Sequence, residues 1–67
     1  MNKYERQNAI LRVLKLRRFD TVYNLSIEFG VSEKTIRRDI ETLSLSEPIY
    51  TKPGRFGGGI YILTYRE

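Results

Sequence analysis

The chain contains neither cysteine nor histidine among its 67 residues. Disulfide bonds, thiolate or imidazole zinc sites, and catalysis by a cysteine nucleophile or a histidine base are therefore excluded. No apolar run is long enough to cross a bilayer and no signal peptide is recognisable, which favours a cytoplasmic protein. Because so short a chain has room for only one small core, we expect residues 1–67 to form a single domain without cofactor or metal.

Basic and acidic side chains are distributed unevenly along the chain. Residues 1–19 contain six basic side chains and one acidic one, whereas residues 20–47 contain three basic and six acidic ones. The formal net charge of the whole chain is +4. An excess of positive charge in a small domain favours a polyanionic partner.

Helical periodicity dominates the first two thirds of the chain. Apolar residues recur at helical spacing through residues 3–17, which predicts an amphipathic helix. Asp20 and Thr21 are candidate caps for a shorter helix over residues 22–29, and Gly30 suits the left-handed residue that ends it. The inward side of this second helix would carry Val22, Leu25, Ser26 and Phe29.

A third helix is predicted from the cap Ser32 to about Ser44, before Pro48. At 100° per residue, one face of this helix carries only aliphatic side chains, which are Ile36, Ile40 and Leu43. The opposite face carries mainly charged side chains, which are Lys34, Arg37, Arg38 and Glu41. Such a helix rests on a core by one side and offers the other side to solvent or to a partner.

The last third of the chain changes to β-branched and aromatic residues. Residues 49–52 and 60–64 read as two strands, and the glycine-rich residues 53–59 join them in a β-hairpin. The glycines match neither a Walker loop nor a dinucleotide fingerprint, since Ile60 and Ile62 occupy required positions. The expected fold is α+β and mostly α, with three helices followed by a two-stranded hairpin.

A short helix, a glycine-containing turn and a second helix are the helix-turn-helix arrangement of many DNA-binding proteins. The second helix of that motif enters the major groove with its N-terminus first, so its early exposed side chains are candidates for DNA contact. These are Ser32, Glu33, Lys34, Thr35, Arg37 and Arg38. Arginine can bind guanine in a bidentate way, whereas Lys34 is better suited to phosphate. The alternative is an ordinary three-helix core whose outer face is merely solvated.

The hairpin tip carries two further cations, Lys52 and Arg55, on a loop that Pro53 stiffens. An arginine on a narrow projection can enter the minor groove, where A·T-rich DNA concentrates negative potential. The glycines of this loop are better explained by turn geometry than by a ligand. The sequence leaves open whether Phe56 packs under the hairpin or is exposed.

Enzymatic activity is not expected, because the carboxylates are scattered along the chain. Glu33, Arg37 and Glu41 follow i, i+4 spacing and are better explained as surface ion pairs. The five tyrosines are better explained as packing residues, although a base-stacking platform of Tyr50, Tyr61 and Tyr65 stays open.

Residues 25–43, with the core motif Thr35-Ile36-Arg37-Arg38-Asp39, closely resemble the DNA-binding domain of DeoR-type bacterial transcriptional regulators. Gly54-Arg55 and residues 57–63 resemble the wing of the related group that often precedes WYL effector domains. The resemblance implies a winged helix-turn-helix fold, sequence-specific binding of double-stranded DNA, and repression or activation of nearby genes. It implies a recognition helix over about 33–44 bearing Thr35, Arg37 and Arg38, and a wing over 49–64 with Arg55 at its tip.

Three departures from that family pattern affect the expectations. Ser26 replaces a small alanine, and Asp20 replaces an apolar residue of a short extra strand, which argues against that strand here. Such regulators also continue into an effector or dimerisation domain, so these 67 residues fit either a free-standing regulator or a fragment. Tight specificity suggests a homodimer or a helper protein as a partner, since one helix reads few base pairs, and the sequence leaves a monomer open. A winged-helix protein-interaction module and an RNA-binding module are the alternatives.

Overall fold

The computed structural model describes residues 1–63, with helices in the first part of the chain and a hairpin at its end. The order of elements is α1 (Lys3–Arg17), β1 (Phe19–Thr21), α2 (Val22–Phe29), α3 (Glu33–Ser44), β2 (Ile49–Lys52) and β3 (Gly59–Ile62). The predicted α+β arrangement and the predicted bounds of all three helices are confirmed. Thr64, at the end of the predicted wing, and Tyr65 lie outside the described residues.

Each helix is preceded by a residue whose side chain caps it. The Asn2 carboxamide accepts a hydrogen bond from the Glu5 amide at 2.8 Å, and the Glu5 carboxylate accepts one from the Asn2 amide in return. The Thr21 hydroxyl caps α2 and the Ser32 hydroxyl caps α3 in the same way. Such caps satisfy N–H groups that have no partner inside the helix, so local sequence sets these boundaries.

The sheet has three strands in the order β1-β3-β2, and both pairs are antiparallel. The expectation that Asp20 eliminates the first strand is wrong, because Asp20 pairs with Ile60 in the middle of β1. Strand pairing uses only backbone groups, so an aspartate can occupy β1 if its buried carboxylate has separate hydrogen-bond partners. It accepts hydrogen bonds from the Arg17 guanidinium at 2.7 Å and from the Thr21 amide and Asn24 carboxamide at 2.8 Å each. The predicted hairpin thus supplies two of the three strands of the sheet.

The core lies between the three helices and the inner face of the sheet. Its buried members are Ile10, Leu14, Val22, Leu25, Ile36, Ile40, Leu43, Ile49, Ile60 and Ile62. Phe29 and Val31 are partly buried against them. The predicted apolar faces of α1, α2 and α3 all turn inward, which fixes the direction in which the opposite face of α3 points.

A buried ion pair attaches α1 to α3. Asp39 is 1% exposed and accepts hydrogen bonds from Arg6 Nε at 2.6 Å and Arg6 Nη2 at 3.0 Å. The Gln7 carboxamide adds a third hydrogen bond at 3.1 Å. The hydrogen bond to Asp39 raises the pKa of Arg6, so the guanidinium stays charged. This fork-to-carboxylate geometry fixes the rotation of α3 relative to α1.

Candidate nucleic-acid interface

The polar face of α3 is open to solvent. Lys34, Arg37, Arg38 and Glu41 are all exposed, while Ile36 on the other side is fully buried. Three of these four exposed side chains are cationic. The helix therefore offers a mainly positive surface that the core holds in a fixed orientation.

The two neighbouring arginines of α3 have different environments. Arg37 Nη2 donates to Glu33 Oε1 on the same helix and to the Gly57 carbonyl of the hairpin loop, at 3.3 Å in both cases. Within residues 1–63, the Arg38 guanidinium forms neither a hydrogen bond nor an ion pair. Of the two, Arg38 is consequently the arginine whose guanidinium donors have no partner among these residues.

The hydroxyl groups at the start of α3 are bonded to each other. The Ser32 hydroxyl accepts from the Thr35 amide and donates to the Thr35 hydroxyl, both at 3.1 Å. This arrangement uses the Ser32 proton, whereas Thr35 keeps its own hydroxyl proton for an outside acceptor. Of the two residues, Thr35 is therefore the better placed to donate to a ligand.

The loop between β2 and β3, residues 53–58, is called the wing loop here. Lys52 and Arg55 are exposed beside and within it, as the sequence predicted. The loop itself does not project freely. The carbonyls of Phe56 and Gly58 accept hydrogen bonds from the first two amides of α2, Tyr23 at 2.9 Å and Val22 at 3.1 Å. Those amides have no partner within α2, so the loop folds back onto the helix instead of standing away from it.

Two residues of the wing loop, Gly57 and Phe56, are packed differently. Gly57 has a φ of +81°, and a Cβ atom placed there would lie 2.7 Å from Glu33 Oε1. The positive φ strains any other residue here, and an added Cβ atom would also force the Glu33 side chain to shift. Both points support turn geometry as the role of this glycine. Phe56 is 61% exposed, and its ring lies 6.0 Å from that of Tyr23. The open question about Phe56 is thus resolved in favour of exposure.

Aromatic rings form a row across the outer face of the sheet. The Tyr61 ring stacks on Tyr50 at 5.2 Å between centroids and meets Phe19 at 4.7 Å. The faces of these rings are partly covered by one another, so they offer less area to a nucleobase than isolated tyrosines would. This geometry favours packing as the role of Tyr50 and Tyr61, and Tyr65 lies outside the described residues.

Neither a metal cluster nor a membrane-spanning helix is found in the part of the chain that the structure describes. No three carboxylates of residues 1–63 converge as metal ligands do. None of the helices within these described residues combines the length and apolarity needed to cross a bilayer.

Sequence reasoning missed Asp39 and Arg6 as residues that position α3. Asp39 lies about 60° from Ile36 around the helix, beside the apolar stripe rather than opposite it. That angle was a usable signal of burial. Its partner Arg6 lies 33 residues earlier, and no local pattern connects the two. The backbone hydrogen bonds of the wing loop left no signal in the sequence.

Comparison with known proteins agrees with the geometry. A family model described as an HTH domain matches residues 6–60. The chain is similar to a crystal structure of the Zalpha domain from Carassius auratus PKZ in complex with Z-DNA, with a TM-score of 0.73 and 13% sequence identity. That likeness covers 91% of this chain and 97% of that chain, and it confirms the winged helix-turn-helix fold. No match was found among curated proteins.

Proposed function

Because the chain belongs to the helix-turn-helix (HTH) domain family, we propose that it binds double-stranded DNA in a sequence-specific way and regulates transcription without catalysis. One observation carries this proposal. Within residues 1–63, Lys34 and Arg38 extend from α3 opposite its buried stripe without an ion-pair partner. Charged groups that the fold holds outward without intramolecular partners are suited to phosphate and base edges.

In the proposed complex α3 is the recognition helix and lies in the major groove over about residues 33–44. Arg38 reads a guanine through its O6 and N7 atoms, and Thr35 donates a further hydrogen bond to a base or a phosphate. Lys34 and the N-terminal turn at Ser32 contact the DNA backbone. Arg37 lies on the same face, but its Nη2 atom already donates to Glu33 and to the Gly57 carbonyl.

The wing, residues 49–64, lies along the DNA backbone or the minor groove in this proposal. Lys52 and Arg55 supply its positive charge, and their exposure supports a phosphate contact. The similar Zalpha domain is in complex with Z-DNA. At 13% identity this likeness shows the fold alone, so binding should be measured with both B-form and Z-form duplexes.

The finer assignment rests on the sequence. We propose that residues 1–67 form one domain of a DeoR-type regulator, similar to the domain that precedes WYL effector domains, in the bacterial cytoplasm. Its partner besides DNA is a second copy or a helper protein. The motif from Thr35 to Asp39 and the glycine-rich wing support this assignment.

The test is selection of bound sequences from random B-form duplexes, followed by binding assays with variants. We expect Arg38→Ala to weaken binding to the selected duplex by about tenfold or more, since a bidentate guanine contact is worth roughly 1–3 kcal/mol. Binding to unselected duplex should fall much less. Arg12→Ala is the matched control, because Arg12 is an exposed arginine on α1. The affinity of this variant for the selected duplex should stay close to that of the natural chain.

Four outcomes would contradict the proposal. An unchanged affinity of Arg38→Ala would reject the recognition-helix assignment. A preference for a Z-form duplex, or for single-stranded RNA in direct competition, would reject B-form sequence reading. Binding to a protein partner with no duplex affinity and little salt dependence would favour the protein-interaction module instead.

A further inference from the structure

The wing loop is attached to the helix-turn-helix unit through three consecutive carbonyl groups. Phe56 and Gly58 accept hydrogen bonds from backbone amides of α2, and Gly57 accepts one from the Arg37 side chain. The first two bonds do not depend on side-chain identity at the donors. The third is the one bond of this set that ties the wing loop to the proposed recognition helix.

The geometry of Arg37 suits attachment better than base reading. Its Nη2 atom carries two protons, and both have acceptors within the protein, Glu33 Oε1 and the Gly57 carbonyl. Bidentate recognition of guanine needs two adjacent N–H groups of the fork. Arg37 would have to release one of its present partners to provide them, whereas Arg38 would not.

We propose that Arg37 is a positioning residue that holds the wing loop against α3, and that its effect on DNA binding passes through Arg55. This inference rests on the proposed function. It differs from the expectation drawn from the sequence, in which Arg37 and Arg38 are both candidates for direct DNA contact.

The packing at Gly57 supports this role. A Cβ atom at Gly57 would lie 2.7 Å from Glu33 Oε1, 3.2 Å from Arg37 Nη2 and 3.2 Å from the Val22 Cβ atom. The loop backbone therefore sits in a notch formed by both helices of the motif. Glycine-rich segments lose much conformational entropy when they are ordered, so each attachment that holds this loop also orients Arg55. Preorganising Arg55 in this way favours binding without any new contact to DNA.

The attachment is tested first in the free protein, by hydrogen exchange of the amides of Val22 and Tyr23. Arg37→Ala should speed exchange at both amides by about two- to tenfold, the change in local opening that one lost hydrogen bond gives. Arg38→Ala is the matched control, since it removes the same charge from the next residue of the same helix. It should leave both amides unchanged, and equal exchange in the two variants would overturn the proposal.

The second arm is a double-mutant cycle on the selected duplex with Arg37→Ala, Arg55→Ala and the combined variant. Arg55→Ala should weaken binding and reduce the slope of log affinity against log salt by about one. Adding Arg37→Ala should then cost little more, because the cation that Arg37 orients is already gone. Equal fold-losses in both backgrounds would show a direct contact by Arg37 and reject the positioning role. Faster exchange in a protein that binds no duplex would reject the proposed function and retain the attachment.

Discussion

At the scale of single residues, the buried carboxylate of Asp39 is the charge on which the orientation of α3 most depends. It is held by two nitrogens of Arg6 and one of Gln7, and the Arg6 side chain is itself only 15% exposed. A buried pair of this kind contributes little relative to an apolar substitute, but breaking it leaves an uncompensated charge. The pair therefore ties α3 to α1, and the loss of either charged partner would be costly.

Asp39→Asn should lower the free energy of unfolding by about 2–3 kcal/mol. This lies below the range for complete loss of a buried partner, because an amide oxygen in place of Oδ1 still accepts the hydrogen bonds from Arg6 Nη2 and Gln7. Urea unfolding followed by circular dichroism measures the change. The control is Glu41→Gln, an exposed acid on the same helix, which should stay within about 0.5 kcal/mol of the natural chain. Equal losses in the two variants would show that the ion pair has no special role.

At the scale of elements, the helices were predictable because their boundaries are local signals. The side chains of Thr21 and Ser32 cap the helices that follow them, and Gly30 ends α2 in the left-handed conformation. Each of these effects acts within four residues along the chain. The strand β1 was not predictable in the same way, since its existence depends on pairing with β3 some 40 residues later. The return of the wing loop onto α2 has the same origin, because it pairs backbone groups that are distant in sequence.

The residues of the candidate site were predictable, whereas their contacts with distant parts of the chain were not. Helical spacing placed Lys34, Arg37 and Arg38 on the exposed face of α3, as the structure confirms. It also predicted an ion pair between Arg37 and an acid one turn away, which the contact with Glu33 at 3.3 Å confirms. It could not predict the hydrogen bond from Arg37 to the carbonyl of Gly57, twenty residues away. That the site residues contact DNA stays a prediction.

The wing loop as an element depends on the absence of a side chain at Gly57. Gly57→Ala should lower the free energy of unfolding by about 1–3 kcal/mol, since a left-handed alanine costs roughly 1–2 kcal/mol before any clash. The added Cβ atom also displaces Glu33 or the loop itself. Chemical denaturation measures the effect.

Gly54→Ala is the matched control for this element. Gly54 lies in the same loop, and a Cβ atom there would meet nothing within 4 Å. Its substitution should leave stability unchanged or raise it slightly, because alanine restricts the unfolded chain. If both alanine variants behave alike, the close packing of Gly57 is not what holds the wing loop in place.

At the scale of the whole molecule, size limits how two copies can share a duplex. The domain measures 35 × 28 × 19 Å, so its longest dimension is about one turn of B-form DNA. One recognition helix reads only a few base pairs, and selective binding among many sites needs more than that. Two copies on the same face of the duplex fit without overlap when their half-sites are one turn or more apart.

We therefore expect the selected duplexes to contain an inverted repeat with half-site centres about 10–10.5 base pairs apart, or a multiple of that spacing, and two chains per duplex. Inserting about five base pairs between the half-sites should abolish cooperative binding, because the second copy is rotated to the opposite side of the helix. Inserting a full turn should restore part of it. Gel-shift titration combined with the measured mass of the complex distinguishes these cases. A single half-site saturated by one chain would show that the domain binds alone or needs a different protein beside it.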